Sequence, residues 1–152
     1  MELHGRAAAR GSAATEAEGS AGALRAAGPG PEATGGAISV LLGSHKPGEG
    51  PPDHVHFSQE EIFFVVEGTY ELTVGDQTST AGPGTIVFIP RNVVHRFKNV
   101  GDTTARMLDW SLPGGQDHYF KAIADLATGD GFTGEKVMEI SRKFDTNFPA
   151  AR

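Results

Sequence analysis

The sequence predicts an all-β domain of about eight short strands, followed by two amphipathic helices. The chain of 152 residues contains 21 glycines and 9 prolines, and these turn-forming residues separate short runs of β-branched and aromatic side chains. Beyond Pro113 the apolar residues change from alternation to helical spacing. Many short strands favour a closed barrel or a double sheet, because either arrangement leaves few unpaired strand edges.

Residues 1–36 differ in composition from the rest of the chain. They contain 11 alanines and 8 glycines, and Leu3 and Leu24 are their only large aliphatic side chains. Such a segment cannot bury enough apolar area to offset the conformational entropy that is lost on ordering. We therefore expect residues 1–22 to form a flexible tail. No continuous apolar segment follows the early arginines, so a secretory signal peptide is not expected.

The β domain is expected to span residues 23–112. A short edge strand is expected between residues 23 and 34, and the other predicted strands cover residues 37–43, 61–66, 69–74, 77–81, 85–89, 93–98 and 103–112. The dipeptide Gly75-Asp76 predicts a two-residue hairpin of type II′, which requires glycine first. Residues 62–66 and 85–89 are apolar almost throughout, which is typical of strands that are buried on both faces.

The remaining residues, 113–152, are expected to form a helical extension that covers part of the outside of the β domain. Residues 117–127 carry apolar side chains at helical spacing, and Gly129 ends this helix. Thr133 is a suitable N-cap for a second amphipathic helix.

Composition and charge exclude several classes of partner. Thirteen basic residues against 19 acidic residues give a net charge of −6, which argues against binding to nucleic acid or to an anionic membrane surface. No apolar run is long enough to span a bilayer. The absence of cysteine excludes disulfides and thiolate ligands. It also fits a reducing compartment, so we expect a cytoplasmic protein.

Residues 48–68 contain the polar side chains that point to chemistry. His54 and His56 are two residues apart, so both imidazoles leave the same face of an extended strand. Glu61 immediately precedes the apolar run 62–66. Polar side chains such as these three are costly to bury beside an apolar strand unless a binding partner compensates for the lost water. Two imidazoles and one carboxylate on rigid strands are three of the ligands that a divalent metal takes in proteins. The sequence therefore predicts a metal site here.

Two stretches, read together, resemble the paired signature of the cupins. The first motif, G-x5-H-x-H-x3,4-E-x6-G, is matched by Gly48, His54, His56, Glu61 and Gly68. The second motif, G-x5-P-x-G-x2-H-x3-N, is matched by Gly84, Pro90, His95 and Asn99. Asn92 replaces the middle glycine of the second motif. The turn is expected to be kept, because asparagine tolerates a left-handed backbone.

The resemblance implies a cupin jelly-roll β-barrel, also described as a double-stranded β-helix, with one divalent transition metal inside. The implied metal ligands are His54, His56, Glu61 and His95. Three nitrogens and one oxygen suit Fe, Mn, Ni, Co, Cu or Zn. The sequence after Pro113 is similar to that of single-domain cupins that resemble quercetin 2,3-dioxygenase. The implied activity is a metal-dependent dioxygenase reaction on a small aromatic or enol substrate, in which Glu61 also acts as catalytic base.

Two other functions are compatible with the same motifs. One is a cyclase or isomerase that uses a redox-inert Zn ion as a Lewis acid. The other is a non-catalytic cupin that binds a small molecule. The resemblance also implies a homodimer, because small cupins of this kind commonly pair.

Several residues have a simpler interpretation than a site. His4, His45 and His118 are interpreted as surface histidines. Phe63 and Phe97 share the register of Glu61 and His95, so they are expected either to line the cavity or to pack in the core. The inward face of the predicted strand 103–112 is left open by the sequence.

Overall fold

Eight β-strands precede two α-helices in the part of the chain that the structure describes. The structure is a computed structural model and describes residues 23–25, 34–129 and 131–149, so the predicted tail, residues 1–22, lies outside it. The strands are β1 (Ala23–Arg25), β2 (Ser39–His45), β3 (Glu60–Glu67), β4 (Tyr70–Val74), β5 (Gln77–Ala81), β6 (Ile86–Ile89), β7 (His95–Asn99) and β8 (Ala105–Leu112). The helices are α1 (Gln116–Thr128) and α2 (Gly134–Lys143).

The strands form two antiparallel sheets. The five-stranded sheet has the order β1-β2-β8-β3-β6, and the three-stranded sheet has the order β5-β4-β7. The chain passes from the five-stranded sheet to the three-stranded sheet between β3 and β4. The two sheets enclose a common interior. The predicted double-sheet jelly-roll with two C-terminal helices is confirmed, as two sheets rather than one closed barrel. The predicted edge strand is β1, which pairs with β2 at the margin of the larger sheet.

The core lies between the two sheets because alternate residues of each strand point inward. In β3, Phe63 and Val65 are buried, and in β4, Tyr70 and Leu72 are buried. The complete cluster consists of Phe63, Val65, Tyr70, Leu72, Ala81, Ile89, Ala105 and Met107. Burial of one large apolar side chain of this kind contributes about 1.5–3 kcal/mol to stability.

The expectation that the apolar runs in β3 and β6 are buried on both faces is wrong for the described residues. Val66 is 43 % exposed, Phe88 is 57 % exposed and Ile86 is 67 % exposed. Only the inward residues of these strands reach the core. The reason is that β6 lies at one edge of the five-stranded sheet, and its outer face has no second described layer in contact with Ile86 and Phe88.

The turns follow the backbone requirements that the sequence indicated. Gly75 has φ +59° and joins β4 to β5 as a two-residue hairpin. Asn92 has φ +64°, so it does keep the left-handed conformation of the glycine that it replaces. Gly68 has φ +83°, and a Cβ atom there would collide with Ala105. A side chain at position 68 would therefore push β8 away from the end of β3.

The two helices begin and end close to their predicted positions. Gly129 follows the last turn of α1. The hydroxyl of Thr133 accepts a hydrogen bond from the Lys136 amide at 3.2 Å, as expected of an N-cap. The helices are joined by a buried hydrogen bond of 3.1 Å between the hydroxyls of Tyr119 and Ser141. Neither of these described helices is long and apolar enough to cross a membrane.

Candidate metal centre

The structure brings the four predicted ligand residues, His54, His56, Glu61 and His95, into one cluster. Their candidate ligand atoms all lie within 4.8 Å of one another. All four side chains are buried, with exposed fractions from 1 % to 7 %. In sequence, His95 lies 34 positions after Glu61, and strand pairing brings it to the other three residues.

Backbone pairing between the two motifs fixes this geometry. The His54 amide donates to the carbonyl of His95 at 3.0 Å, and the His95 amide donates to the carbonyl of His54 at 2.9 Å. Glu61 lies in β3 opposite Ile89 of β6 and Ser111 of β8. The site is therefore held from both sheets, with the carboxylate on one side and His95 of β7 on the other.

In each of the three histidines, the Nδ1 atom lies beside a backbone carbonyl. His54 Nδ1 lies 2.9 Å from the carbonyl of Pro52, His56 Nδ1 lies 2.9 Å from that of Asp145, and His95 Nδ1 lies 2.9 Å from that of Val93. Since a carbonyl only accepts, Nδ1 must carry the proton in every ring. The Nε2 atoms are then left as the lone-pair donors, which is the arrangement that orients histidine toward a metal.

The contacts of Glu61 show that the cluster suits a cation. Its Oε2 atom lies 2.9 Å from His95 Nε2 and 3.3 Å from His56 Nε2. If the imidazoles of His56 and His95 are neutral and carry their proton on Nδ1, each contact brings the lone pair of Nε2 against a lone pair of Glu61 Oε2. Either an extra proton or a metal ion must lie between them. His56 Nε2 is also one of the buried polar atoms without a hydrogen-bond partner among the described residues. The donor set therefore fits a transition metal.

Electrostatics within the cluster favour the charged form of the carboxylate. Burial alone would raise the pKa of Glu61, but the close contacts and charges of His56 and His95 outweigh it and hold that pKa below its usual range. Burial would likewise lower the pKa of His56, but Glu61 raises it above the ordinary value. Burial and the neighbouring His95 lower the pKa of His54 to about 4. At neutral pH, Glu61 is ionised and His54 is neutral, as metal ligands must be.

The C-terminal segment after α2 anchors the first motif. The carboxylate of Asp145 accepts hydrogen bonds from the Phe57 amide at 3.1 Å and from the Ser58 amide at 2.7 Å. Its backbone carbonyl is the acceptor for His56 Nδ1. Asp145 itself has φ +57°, an uncommon conformation for a non-glycine residue. This one residue thus positions both the loop that follows His56 and the imidazole of His56.

The cluster opens into a cavity of about 130 Å³. Both sheets and the C-terminal extension contribute to its walls. The aromatic lining residues are Phe63, Phe97, Tyr119, Phe120 and Phe148. A mostly apolar cavity with a few convergent polar groups is typical of a small-molecule site. Phe63 and Phe97 line this cavity and also pack on the core.

A second carboxyl group faces the same cavity. Asp109 lies on the inward face of β8, between Met107 and Ser111, which settles the face that the sequence left open. Its Oδ1 atom is buried and has no hydrogen-bond partner among the described residues. Burial and the nearby charge of Glu61 raise the pKa of Asp109 well above its usual value. Sequence reasoning had no signal for this role, because one aspartate in an alternating strand is compatible with either face.

His45 was predicted at the surface, and this prediction is wrong. It is 3 % exposed, lines the cavity, and its Nδ1 lies 2.8 Å from the hydroxyl of Tyr70. Burial lowers the pKa of His45 to about 4, although Glu49 acts in the opposite direction. The physical reason is that β2 extends to residue 45, so the strand register turns this side chain inward. His118 is exposed on α1, as expected, and His4 lies outside the described residues.

The helical extension does more than cover the outside of the β domain. Gln116, Tyr119 and Phe120 of α1 line the cavity, as do Thr146 and Phe148. Gln116 donates to the Gln59 side chain at 2.8 Å, and Gln59 donates to the carbonyl of Pro113 at 2.6 Å. This buried chain of amides fixes the start of α1 against the start of β3.

Comparison with known proteins agrees with the fold. Residues 42–111 match the family model described as the cupin domain. Protein SchB of Streptomyces halstedii is 36 % identical over 77 residues, covering 49 % of this chain and 56 % of that protein. Polyketide synthase CurC of Streptomyces cyaneus is 39 % identical over 77 residues, covering 49 % and 50 %. The chain thus matches about half the length of these two relatives.

Matches at lower identity extend over more of this chain. Quercetin 2,3-dioxygenase of Bacillus subtilis is 26 % identical over 99 residues, covering 65 % of this chain and 29 % of that protein. The crystal structure of an RmlC-like cupin from Shewanella frigidimarina superposes with a TM-score of 0.59 at 17 % identity, covering 77 % of this chain and 96 % of that one. The paired motifs, the jelly-roll and the match of residues 42–111 to the cupin-domain model agree with one another.

Proposed function

We propose that this chain is a metal-dependent cupin enzyme of the dioxygenase type, acting on a small aromatic or enolic substrate. The observation that carries the proposal is the convergence of His54, His56, Glu61 and His95 on an aromatic-walled cavity. Oriented Nε2 lone pairs and an ionised carboxylate form a donor set that fits one divalent transition metal. Similarity to quercetin 2,3-dioxygenase supports the reaction class at low identity.

The four cluster residues would hold the metal, and the rest of the cavity would hold the substrate. A bound metal would supply Lewis acidity toward a substrate oxygen and, if it is redox-active, electrons for reaction with oxygen. Phe63, Phe97 and Phe148 present apolar surfaces to the cavity. These walls suit the faces of an aromatic ring, and they exclude water from the reacting groups.

The two carboxyl groups have different roles in this proposal. Glu61 is ionised at neutral pH and accepts the proton of the substrate hydroxyl, in addition to acting as a ligand. Asp109 retains its proton to higher pH than Glu61 does, and its Oδ1 atom lacks a protein partner among the described residues. Asp109 therefore offers a hydrogen bond to a second polar group of the substrate. Two carboxyl groups with opposite pKa shifts in one cavity are typical of acid–base pairs in enzymes.

A second candidate function is favoured by the Streptomyces relatives. One of them is named a polyketide synthase and is 39 % identical in the matched region. Polyketides carry enolisable carbonyl groups, so the same site with a redox-inert metal would promote cyclisation or isomerisation. Oxygen would not be consumed in that reaction.

Metal exchange combined with an oxygen electrode tests the proposal. Protein purified without chelators is analysed for metal, stripped, and reloaded separately with Fe, Mn, Ni, Co, Cu or Zn. The proposal predicts oxygen uptake with quercetin or a simple catechol, and only with redox-active metals. Turnover of a polyketide substrate with Zn and without oxygen would instead support the second candidate. Metal and ligand binding without any turnover would support a binding protein.

A further inference from the structure

A histidine outside the metal cluster also lines the cavity. This residue, His45, is the last residue of β2 and is 3 % exposed. Its ring packs edge-on against Phe97, with the ring centroids 4.9 Å apart. Phe97 contacts Phe63 at 5.5 Å, and Phe63 contacts His95 of the cluster at 6.4 Å. In this series of contacts, two phenyl rings of the cavity wall separate His45 from the metal centre.

Contacts with three neighbouring residues hold His45 in place. Its backbone pairs with Ala105 of β8, and its carbonyl accepts a hydrogen bond of 2.9 Å from the side-chain amide of Asn99. Its Nδ1 atom lies 2.8 Å from the hydroxyl of Tyr70, whose ring packs edge-on at a centroid distance of 5.7 Å. A ring that is already fixed loses little conformational freedom when a ligand binds to it.

The contact with Tyr70 decides which ring nitrogen of His45 carries the proton. Tyr70 is fully buried, and its hydroxyl has no other hydrogen-bond partner among the described residues. Burial raises the pKa of Tyr70, so the hydroxyl keeps its proton. An enclosed hydroxyl proton needs an acceptor, and only an unprotonated Nδ1 accepts. The proton of His45 therefore lies on Nε2, which is the opposite of the arrangement in the three histidines of the metal cluster.

The Nε2–H group of His45 is a donor without a protein acceptor among the described residues. Because Nδ1 is turned to Tyr70, Nε2 points away from Tyr70 on a ring that lines the cavity. A donor in such an enclosed place is costly unless a bound molecule accepts from it. Burial lowers the pKa of His45 to about 4, although Glu49 acts in the opposite direction. The imidazole is uncharged at neutral pH, so it suits an uncharged acceptor such as a carbonyl oxygen.

We propose that His45 determines substrate specificity by donating a hydrogen bond from Nε2 to a carbonyl oxygen of the substrate. The carbonyl group would lie at the far end of the substrate from the oxygen that faces the metal centre. Tyr70 is a positioning residue in this arrangement, because it fixes the tautomer of His45 and does not itself line the cavity. The assignment rests on the proposed function only in that a small aromatic or enolic molecule occupies the cavity.

The size of the cavity limits the substrate to about one ring. The cavity volume is about 130 Å³, and an engineered protein cavity of about 150 Å³ holds benzene. Sites for larger, drug-sized ligands begin at about 300 Å³. The phenyl groups between His45 and the metal cluster suit the faces of an aromatic ring. The substrate class is thus a single aromatic or enolic ring with a hydroxyl group at one end and a carbonyl group at the other, which favours a substituted catechol over the larger quercetin.

Calorimetric binding to the full-length protein tests the role of His45. The protein is used as purified and under nitrogen, so that no oxygen is consumed. Catechol is compared with protocatechualdehyde, which carries an aldehyde group on the same ring. The preference of the wild type for the aldehyde, measured as a ratio of Kd values, should fall about three- to tenfold in His45→Leu, the range expected for one neutral hydrogen bond. His118→Leu, at an exposed histidine of α1, is the matched control and should keep the wild-type ratio.

Nitrogen NMR of isotope-labelled histidine tests the tautomer independently of any ligand. The signal that is missing in His45→Leu identifies His45, which should carry its proton on Nε2. Tyr70→Phe removes only the hydroxyl, so it should release Nδ1 and lower the same binding preference; circular dichroism verifies that the variants are folded. A proton on Nδ1 in the wild type, or an unchanged ratio in His45→Leu, would overturn the assignment alone. Binding of neither compound would overturn it together with the small aromatic substrate of the proposed function.

Discussion

The Nε2 atom of His95 faces the Oε2 atom of Glu61 at 2.9 Å, while the Nδ1 atom of the same imidazole is held by the carbonyl of Val93. This relationship leaves only a shared proton or a metal ion to join the two side chains. It connects β7 of one sheet to β3 of the other at the point where the cavity begins.

Replacing Glu61 by glutamine separates its role as a ligand from its role as a base. Glutamine keeps the shape and one oxygen donor but removes nearly all basicity. We expect Glu61→Gln to retain much of its metal and to lose turnover by a factor of about one hundred or more. Metal content and turnover must be measured on the same sample. Unchanged turnover in the metal-loaded variant would reject the base role.

Asp109 is expected to lower the stability of the fold at neutral pH and to contribute to turnover. Its pKa is raised in the folded state, so the stability that it contributes is present at low pH and is lost as pH rises above its ordinary pKa. Asp109→Asn should therefore be more stable than the wild type at neutral pH, by thermal unfolding, and should bind the same amount of metal. Its turnover should fall by about tenfold or more if Asp109 contacts the substrate. A variant with full activity would remove Asp109 from the reaction.

His45 should make the protein acid-sensitive. Its pKa is about 4 in the folded state and near 6.5 when unfolded, so the unfolded state binds more protons between these values. Stability should then fall as pH decreases from about 6.5 to 4, by an amount on the order of 3 kcal/mol from this residue. Denaturant unfolding across this range should show a weaker pH dependence for His45→Gln than for the wild type. Parallel curves for the two proteins would contradict the assignment.

Asp145 is expected to control metal affinity from outside the ligand set. Asp145→Asn keeps the tolerance for positive φ but weakens the acceptor for the amides of Phe57 and Ser58. Mutation of a supporting group of this kind typically lowers metal affinity about 10- to 100-fold. Competition with a fluorescent chelator measures the change. Asp102→Asn, in an exposed loop, is the control and should bind metal like the wild type; equal affinity in both variants would refute the role of Asp145.

Three of the candidate ligand residues were predictable from local sequence signals, because His54 and His56 must share a face and Glu61 opens an apolar strand. His95 was implied by the resemblance of residues 84–99 to the second cupin motif. The strands and turns were predictable for similar reasons of alternation and glycine placement. In each case the relevant information lies within about ten residues.

The supporting groups Asp145 and Asp109 were not predictable, because they come from parts of the chain that are distant in sequence from the first motif. Asp145 is 89 positions away from His56, to which it is hydrogen-bonded. Asp109 became recognisable only when the register with Phe63 fixed its direction. Apolar residues on the outside of β3 and β6 were interpreted as buried, because an apolar run does not by itself show whether a second layer covers the sheet. Long-range register and the packing of layers decide these features.

Elemental analysis of metal stoichiometry tests whether His54, His56, Glu61 and His95 form a metal centre. The protein is expressed with a mixture of transition metals, purified without chelators, and compared with His95→Ala and with His118→Ala, a change at an exposed histidine of α1. We expect one metal per chain in the wild type and in His118→Ala, and a metal content that is several-fold or more lower in His95→Ala. Full metal occupancy in His95→Ala, or a wild type that binds no transition metal, would contradict it.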